Sequence, residues 1–414
     1  MSNQQLPSPL SALKPQGINM ERLIVTHATV VGANSLMEDY SVICEDGFIV
    51  DVFPSRILNI KAPNAEAETI DAKGKFLVPG FMDLHIHGLK GKLIDRGRDE
   101  FAAICRELPQ YGVSAFLPTV LPAEDECAIL TELAETKTTG TEVLGFFLEG
   151  QFLTLTGAIR GIKPDYTVPR VEAMKKALGS RKAVFAISPE IPGMLSLLPK
   201  MCEGGLPAFI THTGANYEET EKAIQAGARH ATHFLNVFPY IGDKEPGVRG
   251  CGTVEAIMAN KDATVDFILD GEHVDPRLIK MVLACKGIDN VCLITDANIN
   301  AGLEPGVFKG LCNTDIVMKY PGGPAREYKG EGKETGILAG SGLTMDLAFR
   351  NAVRMLGLSI PEAVAMCSAN PARVLGLEKK KGKIEKGFHA DFSLMDNDFS
   401  VKACYIAGKK EFSA

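Results

Sequence analysis

The chain has 414 residues, 45% hydrophobic and 23% charged, with a formal net charge of −7. That balance describes a globular protein with ample material for a large core. It disfavours a nucleic-acid binder, whose surface is normally basic, but leaves room for an anionic small substrate held by a few local cations. The ten cysteines form no CxxC pairs, no apolar leader opens the sequence and no run of 18 apolar residues occurs. Reduced thiols in a cytoplasmic protein that does not span a membrane are the expectation.

Residues 1–21, polar and proline-containing, read as a disordered tail. From 22 to 78 the texture is β: short runs such as Leu23-Ile24-Val25 and Tyr40-Ser41-Val42-Ile43-Cys44 alternate with Gly and Asp turns. Residues 376–414 have the same texture, so the two ends are expected to build one small composite β-sandwich domain. Between them, 79–375, the period changes. Apolar runs at 81–87, 113–120, 143–149, 183–190, 207–212, 230–236, 265–270 and 291–296 alternate with helical patterns such as 171–178, 217–226 and 276–284. Eight such alternations predict an α/β fold of the closed (β/α)8 TIM-barrel type. No GxGxxG follows the first run and no Walker motif occurs, so a doubly wound nucleotide-binding sheet has no support. Residues 303–337, rich in Gly, Pro and charge, read as an excursion over the barrel mouth. Ser359-Ile360-Pro361-Glu362 has capping-box spacing and predicts a helix reaching about Val374.

The chemistry sits at the ends of these runs. His85 and His87 are two apart on the first strand, so both side chains face one side and can grip one divalent ion. Glu149 closes the third run, where an acid is poorly explained by solubility and two oxygens permit bridging of two metals. His212 and His233 end the fifth and sixth runs, each after a threonine. Asp296 ends the eighth, where one oxygen can bind metal while the other takes a proton from water. His273 ends the seventh and, with the metal set already filled, is expected to face substrate. His27, His230 and His389 fall at strand starts or in the small domain and read as structural.

The segment Pro79-Gly80-Phe81-Met82-Asp83-Leu84-His85-Ile86-His87-Gly88 resembles the opening barrel strand of the amidohydrolase superfamily. Leu148-Glu149-Gly150, Thr232-His233-Phe234-Leu235-Asn236, Glu245-Pro246-Gly247-Val248, Gly271-Glu272-His273-Val274, Thr295-Asp296-Ala297 and 338–345 resemble, within it, the N-acetylglucosamine-6-phosphate deacetylase family. The resemblance runs from about residue 22 to the C-terminus. It implies hydrolysis of the acetamide of an N-acetylhexosamine 6-phosphate, with Asp296 as acid/base. It implies one or two divalent metals per chain, zinc ahead of iron, manganese or cobalt, held by Glu149, His212 and His233 and, for the second, by His85 and His87. Asn236, Val237, His273, Leu338, Ala339 and Gly340 are implied to hold the phosphorylated amino sugar. Lys244 is implied to reach the phosphate from the neighbouring subunit of a homodimer, in place of the family's arginine. Two departures stand out: Gln151 replaces the proline that follows Leu-Glu-Gly, and Ile162, or Ile159 in another alignment, replaces a carbonyl-polarising histidine. Losing such a donor costs roughly 2.7–4 kcal/mol of transition-state stabilisation. A relative acting on another N-acyl or cyclic amide, or one with reduced turnover, is the alternative.

Overall fold

Eight parallel strands form the centre of the molecule, seen here in a computed structural model that describes residues 22–62, 67–160, 164–330 and 334–414. The expected tail at 1–21 and Ile162 lie outside the described residues. The strands are Phe81–Ile86, Val113–Val120, Phe146–Phe152, Ala183–Ile187, Phe209–Ile210, His230–Ala231, Thr264–Ile268 and Val291–Ile294, each hydrogen-bonded to the next in chain order. Helices such as Arg98–Glu107, Val168–Ala177, Tyr217–Gln225 and Pro276–Lys286 connect them. The second strand is buried along its whole length, as expected where helices cover one face and the barrel interior the other. The eighth strand meets the first through the residues that follow it. Asp296 N–H donates to the His85 carbonyl at 2.9 Å and His87 N–H donates to the Ala297 carbonyl at 2.9 Å.

Both chain ends contribute to one eight-stranded sheet, running from Lys409–Ser413 through Val401–Ile406, Phe392–Met395, Phe76–Pro79, Arg22–Val31 and Leu36–Glu45 to Phe48–Pro54, with Glu68–Asp71 also paired to Arg22–Val31. A bridge from Phe48 to His389 links its far edge to the C-terminal half, and Val25, Ile49, Leu77, Phe392 and Tyr405 share one apolar core. The composite of the two ends is therefore a single curled sheet.

Three local expectations are revised. The excursion after the eighth strand contains a four-stranded antiparallel sheet of Gly306–Lys309, Asp315–Met318, Pro324–Tyr328 and Glu334–Ser341. Its glycines and charges hid a two-residue period only five or so residues long. The sixth strand keeps only His230–Ala231 of the run read at 230–236, because Asp266 captures the His233 N–H at 2.5 Å and turns the chain away. Ser359 and Glu362 do form the capping box, but the helix breaks at Ser368 into Ile360–Cys367 and Ala369–Val374. Pro371 has no N–H to offer the Cys367 carbonyl.

Candidate metal centre and substrate cleft

The first strand delivers His85 and His87 to the barrel axis from alternate positions, and both are almost fully buried. Their Nε2 atoms lie 3.1 Å apart. Glu149, at the mouth end of the third strand, places Oε2 at 3.2 Å from His85 Nε2 and 3.1 Å from His87 Nε2, and Oε1 at 3.1 Å from His233 Nε2 and 3.7 Å from His212 Nε2. Asp296 closes the group, with Oδ1 at 3.3 Å from both His85 and His87. All six residues singled out as ligands thus meet at the C-terminal mouth, where barrel enzymes carry their sites. Two sets, His85–Glu149–His233 and His85–His87–Asp296, have ligand atoms close enough to share an ion.

Tautomers support the fit. His212 Nδ1 faces the Leu155 carbonyl at 2.9 Å, and a carbonyl only accepts, so Nδ1 carries the proton and Nε2 is bare. The cluster has two carboxylates and four imidazoles but no lysine or arginine among its members. Burial would raise the Glu149 carboxyl, yet its interactions with His85, His233 and His87 hold it well below the usual carboxylate range. Burial also disfavours a charged His87, but Asp296 and Glu149 outweigh it and push His87 up to about 10. Burial and neighbouring His233 push His212 down to about 4. Four imidazoles around two anionic carboxylates match the donor set of a divalent metal, whose binding would displace the His87 proton.

The backbone is bent to present these groups. His212, His233 and Asp296 all have positive φ (47°, 34° and 46°), as does Val237 at 59°. Positive φ is uncommon for residues other than glycine, costs of order 1–3 kcal/mol each, and gathers at functional sites. Gly340 (φ 69°) packs so closely that an added Cβ would stand 2.7 Å from the Asp296 carbonyl. Ser341 N–H donates to that carbonyl at 2.8 Å and Asn298 holds the Ala339 carbonyl at 2.8 Å, so the 338–340 segment is fastened beside Asp296.

Asn236, Val237, His273, Leu338, Ala339 and Gly340 line one cleft with His87, Glu149, His212, His233 and Asp296. Asp270 orients His273: it accepts Nδ1–H at 2.7 Å and the backbone N–H groups of Glu272 and His273 at 2.9 Å, leaving Nε2 for a ligand. Lys244 is not brought to the cleft within one chain. It sits on an exposed hairpin of Asp243–Glu245 and Val248–Arg249, beside exposed Tyr240, Ile241 and Val248. Gln151 is buried and bonds the Val120 carbonyl at 3.3 Å, away from the cleft lining. Of the two isoleucines weighed against the missing histidine, Ile159 is the one described, and it lines the cleft with Gly157 and Ala158.

Sequence reading passed over Leu121 and Leu311, which wall the cleft, and Asp83, which receives the Thr295 hydroxyl at 2.5 Å and the His85 N–H at 3.3 Å. Asp83 and Asp266 did carry a signal: each is an acid in the middle of an apolar barrel strand, where a charge survives only with partners.

A parallel barrel with buried histidines and carboxylates gathered at its C-terminal mouth defines the class of barrel hydrolases with a metal centre. The amidohydrolase family profile matches residues 76–410. The chain is 31% identical to an N-acetylglucosamine-6-phosphate deacetylase of Lysinibacillus sphaericus, over 94% of this chain and 97% of that one. It is 28% identical to an N-acetylgalactosamine-6-phosphate deacetylase of Escherichia coli O157:H7, over 90% and 95% respectively. Among solved structures, a point mutant of the N-acetyl-D-glucosamine-6-phosphate deacetylase of Mycobacterium smegmatis in complex with N-acetyl-D-glucosamine 6-phosphate superposes with a TM-score of 0.81 at 27% identity, over 95% of this chain and all of that one. The chain belongs to the amidohydrolase family and is an enzyme of that family.

Proposed function

We propose that this protein deacetylates N-acetylglucosamine 6-phosphate, or a close N-acetylhexosamine 6-phosphate, releasing acetate and the amino sugar phosphate in amino sugar catabolism. The observation that supports it most is the meeting of Glu149, four histidines and Asp296 in one buried cluster at the floor of a cleft lined by His273, Asn236 and the 338–340 segment. Glu149, His212 and His233 would hold one divalent metal; His85 and His87, with Glu149 and Asp296, would hold a second. Zinc suits this nitrogen and oxygen set best, with iron, manganese and cobalt as alternatives. When bound, the metal supplies a polarising charge to water and to the acetamide oxygen. Asp296 accepts a proton from the attacking water as its oxygen bonds to the carbonyl carbon. When the C–N bond breaks, Asp296 returns that proton to the departing nitrogen. His273, fixed by Asp270, and Asn236 orient the sugar. Lys244 reaches the phosphate of the neighbouring subunit in a homodimer, its hairpin being exposed in the single chain. The barrel, 79–375, carries the chemistry, the sheet built from the two ends flanks it, and the enzyme works in the cytoplasm. No helix among the described residues is long and apolar enough to cross a membrane.

A second reading, hydrolysis of a bulkier N-acyl amide, is favoured by one observation: Ile159, Leu121 and Leu311 give the cleft an apolar wall beside Glu149. Acetate release from N-acetylglucosamine 6-phosphate, compared with the unphosphorylated sugar and with propionyl and butyryl analogues, tests both. A higher kcat/KM for the phosphorylated acetyl substrate supports the first reading. Equal values with and without phosphate would sink it.

A further inference from the structure

Beneath the metal cluster, and absorbed by none of the roles above, lies a fully buried acid. Asp266, on the seventh strand, receives the His230 Nε2 at 2.8 Å, the Thr232 hydroxyl at 3.0 Å and the His233 N–H at 2.5 Å. Thr232 Oγ1 in turn lies 3.2 Å from His85 Nδ1. His230, also buried, packs with its ring centroid 4.3 Å from that of Phe209 at a tilted angle, and its Nδ1 meets Thr264 Oγ1 at 2.7 Å.

We propose that Asp266, anchored by His230, is the positioning residue of the metal centre, acting on His85 through Thr232 and on His233 through its backbone. The proton count leads to this directly. Thr232 has one hydroxyl proton, and it goes to Asp266. Its oxygen therefore accepts from His85 Nδ1–H, which leaves Nε2, aimed at Glu149, His87 and Asp296, as the nitrogen of this ring that can ligate a metal. The same carboxylate holds the His233 amide in the positive-φ turn that swings this imidazole onto Glu149. One acid thus sets the tautomer of one candidate ligand and the direction of another. The proposal rests on the metal-centre reading but not on the identity of the substrate.

The test is chelator competition on the intact enzyme, with no substrate present, together with the visible spectrum of the cobalt-loaded form. Thr232→Val keeps the side-chain shape and removes the hydroxyl; it should weaken metal binding by roughly 10- to 100-fold and alter the cobalt spectrum. Thr232→Ser, which keeps the hydroxyl, should bind within about threefold of the parent by the same reasoning. Asp266→Asn should lower affinity at least as much as Thr232→Val. Wild-type affinity in Thr232→Val, or equal loss in Thr232→Val and Thr232→Ser, would overturn the proposal. Failure to deacetylate any hexosamine phosphate, with these affinity differences intact, would strike the substrate reading and leave this one standing.

Discussion

Two buried charge clusters in this molecule have opposite logic. In one, Lys381 and Asp391, both about 5% exposed or less, meet at 2.6 Å; Glu142 adds a second carboxylate at 2.6 Å, and the other oxygen of Asp391 takes the Ala407 N–H at 2.7 Å. Each charge there has its partner within the fold, and the Lys381–Glu142 contact ties the small sheet to the barrel. At the mouth, Glu149 and Asp296 are also enclosed, but the groups facing them are imidazoles, which can give up a proton and offer a nitrogen lone pair instead. Burial of charge is tolerated only when it is compensated. The first cluster is compensated by a lysine that keeps its charge, and the second by histidine protons that a metal, on the proposed function, would replace.

Breaking the cluster at the mouth should give the largest effect. Asp296→Asn should reduce kcat by about 10²- to 10⁴-fold, since an amide cannot take the proton from water, with metal content and Tm near those of the parent. Steady-state kinetics beside elemental analysis checks it; kcat within a few-fold of normal would remove Asp296 from the proposed mechanism. Lys381→Met breaks the lysine cluster instead. It should cost about 3–5 kcal/mol in denaturant unfolding by stranding Asp391, while the metal affinity of the folded fraction stays unchanged.

Protons sharpen the same contrast. In the metal-free protein the pKa of His87 is raised to about 10, against about 6.5 unfolded. Its ion pairs therefore contribute stability that is fully present below about 6.5 and lost as pH rises through about 10. A metal must displace that proton, so its apparent affinity should climb by about tenfold per pH unit between about 7 and 10. Chelator competition across pH measures this, and a flat profile would mean that His87 is no ligand. The smallest effect should come from outside both clusters. Lys244→Ala should raise KM for the phosphorylated substrate roughly tenfold, the value of one charge-assisted hydrogen bond, with little change in kcat. An unchanged KM would detach the hairpin from the phosphate.

The sequence by itself determined the barrel and the candidate ligands. Near-continuous apolar strands alternating with amphipathic helices leave few packings other than a closed parallel sheet. Polar residues at the ends of such strands gather at one mouth, so His85, His87, Glu149, His212, His233 and Asp296 were legible from position alone. Only the tertiary structure decided what lies beneath and around them. Asp266 reads as an odd acid in an apolar strand until the neighbouring strand brings His230, Thr232 and the His233 amide to its oxygens. Ile159 and Leu311 become cleft walls because loops 152 residues apart in sequence come together, with the Arg160 N–H meeting Cys312 Sγ at 3.3 Å. The left-handed turns at His212, His233 and Asp296 left no trace in composition, since none of them is a glycine. Periodicity records which face of a strand is buried; it cannot record which side chain of a distant strand will stand opposite, and that pairing sets the tautomers, the backbone strain and the shape of the cleft.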